Sequence, residues 1–179
     1  MVNKSDVVYL IQLLKKNKIT YGVGGSLLLQ ALKLETKVND LDIMIDVNDA
    51  LLIDILLKDY VDQDQKPNDP KYDSLYFREF KFNQTAIDIM AGLKINYQRK
   101  WYGIPFDDKT PIYIIDNINY MLLEDWYVIY YLLDRKAKVK LIENYFFQTR
   151  SFSKIRINDL TLLDLPVDLK LRLIKLLNI

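Results

Sequence analysis

The sequence contains neither cysteine nor histidine. Disulfide bonds, zinc sites built from cysteine and histidine, thiol nucleophiles and mechanisms that need an imidazole are therefore excluded. No apolar run is long enough to cross a bilayer, and the N-terminal segment lacks the cleavage site of a signal peptide. We therefore expect a cytoplasmic protein with no membrane partner. Its chemistry must depend on carboxylates, hydroxyls, lysines and bound metal.

Half of the residues are hydrophobic and 27% are charged, so the chain can bury a substantial core. The 25 basic and 24 acidic residues give a formal net charge of +1. A chain so balanced is not a general polyanion binder, although a local basic patch can still contact nucleic acid. The length of 179 residues suits one domain, or a domain with a small appendage.

The order of apolar and polar residues predicts an α/β (α+β) fold. A first helix, capped by Ser5, has apolar residues three and four positions apart at Val7, Leu10, Ile11 and Leu14. The pattern predicts strands at residues 19–23, 40–46, 74–82, 85–91 and 112–115, with a surface loop at 61–74 and an extension of the meander at 94–103. We expect a mixed, twisted sheet of about four to six strands with helices packed on one side.

The second part of the chain is predicted to be helical, from Asn119 to Phe147 and again from residue 159. A boundary near residue 117 divides the chain into an α/β domain at 1–117 and a C-terminal helical domain at 118–179. The groove between them is the expected active site. A helix at 166–178, begun by Pro166, packs back onto the domain or forms a contact in a homodimer.

Three of the five glycines lie close together, at Gly22, Gly24 and Gly25. The segment Gly24–Ser26 leads directly into a helical pattern, so free backbone N–H groups and a serine hydroxyl can hold a phosphate. The alternative, and simpler, interpretation of these glycines is a tight turn that binds nothing. On the glycines alone, that simpler interpretation is favoured.

Asp40 and Asp42 lie two residues apart on a predicted strand, so both carboxylates project from one face. Like charges this close repel each other unless a cation lies between them. Oxygen ligands without nearby nitrogen or sulfur suit Mg²⁺ or Mn²⁺. Asp88, on another strand of period two, shares this face if the strands are neighbours. The alternatives are an amphipathic edge strand for the first pair and an isolated exposed acid for Asp88.

In combination, the segments Gly24-Gly25-Ser26, Asp40-Leu41-Asp42 and Ile87-Asp88-Ile89-Met90 resemble the DNA polymerase beta-type nucleotidyltransferase superfamily. The resemblance covers about residues 19–91. It is strongest to small bacterial members, namely minimal nucleotidyltransferases, lincosamide- and aminoglycoside-type adenylyltransferases and abortive-infection toxins.

This resemblance implies a metal-dependent enzyme that moves a nucleoside monophosphate from a nucleoside triphosphate, ATP in the first instance, to a hydroxyl acceptor. The acceptor is a small molecule, a protein or an RNA such as tRNA. Asp40, Asp42 and Asp88 would bind two Mg²⁺ (or Mn²⁺) ions, and Asp88 would also take the acceptor proton. Gly24, Gly25 and Ser26 would hold the β- and γ-phosphates. Arg78, expected on the same face of the sheet as Asp88, would add a phosphate contact.

The helical part resembles the superfamily less closely. It offers a basic cluster at Arg135, Lys136, Lys138 and Lys140. This cluster is either a solvated helix end or a set of phosphate contacts. Two further functions stay open at this point: a non-catalytic nucleotide- or partner-binding module with the same fold, and the toxin component of a toxin–antitoxin or phage-defence pair.

Overall fold

The computed structural model describes residues 2–35, 37–63 and 70–178. Within them the helices are α1 (Lys4–Lys16), α2 (Gly25–Ala31), α3 (Ala50–Leu56), α4 (Leu123–Leu132), α5 (Lys136–Thr149), α6 (Lys154–Leu162) and α7 (Val167–Leu177). The strands are β1 (Tyr21–Val23), β2 (Asp40–Ile45), β3 (Val61–Gln63), β4 (Tyr76–Phe82), β5 (Thr85–Ala91), β6 (Leu93–Tyr97), β7 (Lys100–Ile104), β8 (Ile112–Ile115) and β9 (Ile118–Met121). Residues 64–69 of the predicted loop lie outside the described part of the chain.

A mixed sheet forms the centre of the fold, with strand order β3-β4-β5-β2-β1-β9-β8. The pairs β2/β5 and β1/β9 are parallel, and the other neighbours are antiparallel. The predicted mixed α+β sheet is confirmed, but it has seven strands where about four to six were expected. The predicted extension of the meander is wrong, because β6 and β7 form a separate two-stranded sheet.

Helix α1 begins earlier than predicted. Asn3, and not Ser5, is the N-cap residue, and its side chain accepts a hydrogen bond from the Ser5 backbone N–H at 3.0 Å. The predicted apolar face is confirmed, because the four periodic residues are all buried: Val7, Leu10, Ile11 and Leu14. The burial of this face anchors α1 on the domain.

Helices α1 and α3 lie on the same face of the sheet. The Tyr9 ring of α1 stacks on Phe82 of β4 with centroids 4.9 Å apart, and the Tyr76 hydroxyl of β4 donates to Asp54 of α3 at 2.8 Å. Tyr76 and Phe82 are six residues apart on one strand and therefore share a face. The opposite face of the sheet is left for the candidate site.

Helix α4 is buried on almost every side, as its nearly continuous apolar sequence indicates. It contacts the β6–β7 hairpin and the helices α2, α5 and α6. Its Asp125 carboxylate accepts two hydrogen bonds from the Arg156 guanidinium of α6, at 2.6 and 3.0 Å. This buried ion pair ties the last helices to the body of the protein.

The predicted helical part does not begin at Asn119, because that residue lies in β9, which pairs with β1 and β8. The helices begin four residues later, at Leu123. The division into domains at residue 117 stays a prediction. No helix in the described ranges is long and apolar enough to span a membrane.

Candidate active site

A cavity of about 460 Å³ lies over the face of the sheet opposite α1 and α3. Its floor is formed by β2, β5 and β4, and its other walls include the end of α4 and the start of α5. Five carboxylates line it, together with the hydroxyl of Ser26 at the start of α2: Glu35, Asp40, Asp42, Glu79 and Asp88.

The strand register determines the order of three of these carboxylates. Asp42 of β2 is paired with Asp88 of the parallel strand β5, and Asp88 is paired with Glu79 of the antiparallel strand β4. Neighbouring strands lie about 4.8 Å apart, so the three residues form a row across the sheet. Asp40 lies two residues from Asp42 on the same face.

The glycine turn lies at one end of this row. The Gly24 backbone N–H donates to the Asp42 carbonyl at 2.9 Å, and α2 begins at Gly25. Gly25 has φ +58°, and a Cβ at this position would overlap Asp42 Oδ2. Only glycine therefore allows the backbone to approach the carboxylate this closely.

The hydroxyl of Ser26 faces the cavity beside the turn. Its Oγ is buried, and no hydrogen-bond partner for it exists in the described part of the chain. A buried hydroxyl without a partner is unfavourable, and a ligand oxygen in the cavity would satisfy it. The position beside a helix start suits a phosphate.

Asp42 and Asp88 are costly to ionise. The pKa of Asp42 is raised to about 7, first by burial and then by the negative charges of Asp40 and Asp88, while Arg135 acts in the opposite direction. The pKa of Asp88 is also raised to about 7, by burial and by the charges of Asp40 and Glu79. A cation in the cavity would relieve this repulsion.

Positive charge reaches the cavity from the turn between α4 and α5. Arg135 and Lys138 line it, whereas Lys136 and Lys140 of the predicted basic cluster do not. Lys138 forms an ion pair with Glu35, and burial lowers its pKa. The Tyr130 side chain, 1% exposed, completes this wall.

Arg78 does not reach the cavity. It is paired with Ile89, not with Asp88, and it therefore lies on the opposite face of the sheet. There it forms an ion pair with Asp54 of α3 at 3.6 Å and lies over the Tyr76 ring. The expectation that Arg78 shares a face with Asp88 was wrong.

Glu79 takes the place in the cavity that was expected for Arg78, and sequence reasoning missed it. The signal was available, because a two-residue turn at Asn83 and Gln84 pairs Phe82 with Thr85. Counting away from the turn along both strands, starting from that pair, places Glu79, and not Arg78, opposite Asp88. Lys37 and Asn39, which precede β2 and also line the cavity, carried no comparable signal.

Asp46 and two aromatic residues of α4 lie outside the site. Asp46 caps the short 3-10 turn after β2, where its carboxylate accepts from the Asn48 backbone N–H at 2.9 Å. Trp126 and Tyr127 are buried in the core. Asp46 thus serves as the N-cap residue of the turn that follows β2.

Comparison with known proteins gives one informative similarity. No protein-family model matches the sequence, and no curated protein matches it. A solved structure from Thermotoga maritima, provisionally described as a nucleotidyltransferase, is similar with a TM-score of 0.60 and 21% sequence identity. The match covers 82% of this chain and 96% of that one. The chain has a nucleotidyltransferase-like fold. At this identity the similarity extends to the fold alone.

Proposed function

We propose that the protein is a metal-dependent nucleotidyltransferase, which transfers a nucleoside monophosphate from a nucleoside triphosphate to a hydroxyl acceptor. The main support is the row formed by Asp42 and Asp88 beside the Gly25–Ser26 turn. Two carboxylates next to a phosphate-binding turn would repel a triphosphate bound there, unless divalent cations lay between the carboxylates and the phosphates.

The residues fit divalent cations in their chemistry. All the acidic ligands are hard oxygens. Burial, followed by the neighbouring carboxylates, raises the pKa of Asp42 and of Asp88, and a bound cation would favour their ionised forms. No group of three acidic side chains in the described residues is arranged to hold one ion. This favours ions that arrive with the nucleotide, since Mg²⁺ is usually bound by one or two carboxylates together with substrate phosphates.

Each side chain has a role that follows from its place in the cavity. Asp40, Asp42 and Asp88 would hold the ions, whose chemistry is to neutralise charge on the phosphates and to acidify the attacking hydroxyl. The Gly25 backbone and the Ser26 hydroxyl would bind the terminal phosphates. The Gly24 N–H, expected to share this role, already donates to the Asp42 carbonyl.

Two further groups of residues would complete the site. Arg135 and Lys138 replace Arg78 as the candidate side chains that stabilise negative charge developing on the transferred phosphate. Asp88 or its neighbour Glu79 would take the acceptor proton.

The experiment combines binding with label transfer. ATP with Mg²⁺ should raise the unfolding midpoint of the wild type, and EDTA should abolish this shift. α-Labelled triphosphates should transfer label to at least one member of a panel containing tRNA, aminoglycosides, lincosamides and the protein itself.

The matched variants are Asp42→Asn, which should lose both signals, and Asp46→Asn, which should keep both because Asp46 lies outside the cavity. An unfolding midpoint that none of the four ribonucleoside triphosphates changes in the presence of Mg²⁺ would refute the proposal. Binding without transfer would favour a non-catalytic nucleotide-binding module.

A further inference from the structure

The last two helices expose a stripe of large aliphatic side chains, here called the α6–α7 stripe. Each of its five members is at least 44% exposed: Ile155 (78%), Leu162 (77%), Val167 (74%), Leu171 (62%) and Ile174 (44%). Single exposed aliphatic residues are ordinary, but five on two adjacent helices form a patch that usually marks a binding surface.

The stripe lies on the side of each helix that faces away from the core. Leu169, Leu173 and Leu176 of α7 are buried, and so are Ile157 and Leu160 of α6. Both helices are therefore anchored by one apolar face and present a second one. This second face needs another explanation than the packing of the domain.

The two helices that carry the stripe are adjacent. Helices α6 and α7 pack against each other, and Lys154 at the start of α6 donates to the Leu177 carbonyl at the end of α7. The pair is thus antiparallel. Ile155 lies near the Ile174 end, and Leu162 lies near the Val167 end.

The pattern along α7 is self-complementary. The exposed residues Val167, Leu171 and Ile174 are spaced by four and three positions, which is the spacing found in helices that pack knobs into holes. If two copies of α7 pack antiparallel across Leu171, Val167 of each faces Ile174 of the other. The same arrangement brings Asp168, in the first turn, within one residue of the level of Lys175, in the last. Within the monomer, Asp168 accepts a hydrogen bond from the Tyr131 hydroxyl and Lys175 lies over the Phe147 ring.

We propose that a second copy of this chain covers the α6–α7 stripe, in a two-fold symmetric dimer with α7 antiparallel to α7. An isologous contact of this kind needs one surface that complements itself in shape and charge. The spacing of the exposed residues along α7 and the opposite charges of Asp168 and Lys175 support such a contact. The eleven residues of α7 are too few for a stable interface of about 800 Å² per partner, so α6 must contribute through Ile155 and Leu162.

Sedimentation velocity of the nucleotide-free protein tests this proposal without involving the proposed enzyme chemistry. As its concentration is raised to about 100 µM, the wild type should come to sediment with twice the mass of one chain. Leu171→Glu and Leu171→Lys should each be monomers, since the two-fold axis brings two like charges together. An equimolar mixture of the two variants should recover the dimer, because Glu then faces Lys.

Leu51→Glu is the matched control. Leu51 is 73% exposed on α3, and its replacement should leave the dimer intact. Cooperative unfolding transitions verify that the variants are folded, since substitutions at exposed positions are well tolerated. A wild type that stays monomeric throughout this range overturns the proposal, and so does a mixture that does not associate. Dissociation by Leu51→Glu would assign the interface to α3 instead.

Discussion

Asp42 and Asp88 are register partners on the parallel strands β2 and β5, and the pKa of each carboxyl group is raised to about 7. The strand register forces them onto one face, and the floor of the cavity limits their access to water. In the absence of a cation, this arrangement weakens the fold at neutral pH. Stability is thus given up at the two carboxylates that the proposed function assigns to metal binding.

Replacing Asp42 with Asn should stabilise the metal-free protein in a pH-dependent way. The folded-state pKa of about 7 exceeds the ordinary value of about 3.9, so the native state holds a proton that the unfolded state has already lost. Ionisation therefore reduces stability progressively as the pH rises from about 4 to about 7. In EDTA, the unfolding midpoint of Asp42→Asn should exceed that of the wild type at pH 8 and match it at pH 4.

Asp46→Asn provides the control for this experiment. Asp46 lies four residues after Asp42 in the same chain segment, but it lies outside the cavity. Asparagine caps a helical turn as well as aspartate does. Its midpoint should follow the wild type at every pH. If Asp42→Asn were less stable than the wild type at pH 8, the inferred repulsion among the carboxylates would be wrong.

Gly25→Ala should damage both stability and the site. The backbone at Gly25 has φ +58°, and the added Cβ would overlap Asp42 Oδ2. Strain of this kind costs about 1–3 kcal/mol, and the carboxylate must move to make room. Urea unfolding should show the loss of stability, and the midpoint shift with Mg²⁺ and ATP should disappear.

Gly103→Ala separates this effect from glycine replacement in general. A Cβ at Gly103 has no atom within 4 Å, and its φ lies outside the left-handed region. We expect Gly103→Ala to unfold at the same urea concentration as the wild type or slightly above it. Equal losses in the two variants would argue against a special role for Gly25.

The sequence allowed the carboxylate strands to be predicted because their signal is local. Alternation along residues 40–45 and 85–91 marks both strands, and the acids fall on the polar positions. The parallel pairing that joins Asp42 to Asp88 is not local, since it depends on residues more than forty positions apart. It had to be supposed from the resemblance.

Two misjudged regions show different limits. At Asn119 the leucine- and tyrosine-rich pattern suits a helix, but pairing with β1 and β8 makes a strand of residues 118–121. Tertiary contacts outweigh local preference in such short segments. The error at Arg78 was one of register, where a shift of one residue exchanges the two faces of a strand.

Arg135→Gln should weaken nucleotide binding and shift the pH dependence. The Arg135 guanidinium lines the cavity and lowers the pKa of Asp42, in opposition to burial. Without it, the pKa of Asp42 rises further, so metal and nucleotide binding should need a higher pH. The midpoint shift with Mg²⁺ and ATP, measured from pH 6 to pH 9, should be smaller and displaced upward.

Lys136→Gln is the neighbouring control for Arg135. The Lys136 side chain is 87% exposed, and it lies outside the carboxylate cavity. Removing its charge should leave the nucleotide-dependent shift nearly unchanged, because exposed charges are strongly screened. If both variants lost the shift equally, the basic cluster would act through its overall field and not through a contact in the cavity.

Arg156→Met should destabilise the fold strongly, because Asp125 is buried with 0% exposure and Arg156 is its ion-pair partner. An unpaired buried carboxylate of this kind costs about 3–5 kcal/mol. Burial already raises the pKa of Asp125 and Arg156 counteracts this, so the loss should be larger at pH 8 than at pH 5. Urea unfolding at the two pH values measures it. The double variant Asp125→Leu with Arg156→Met should recover most of the stability, whereas a loss as large as that of Arg156→Met alone would contradict this account.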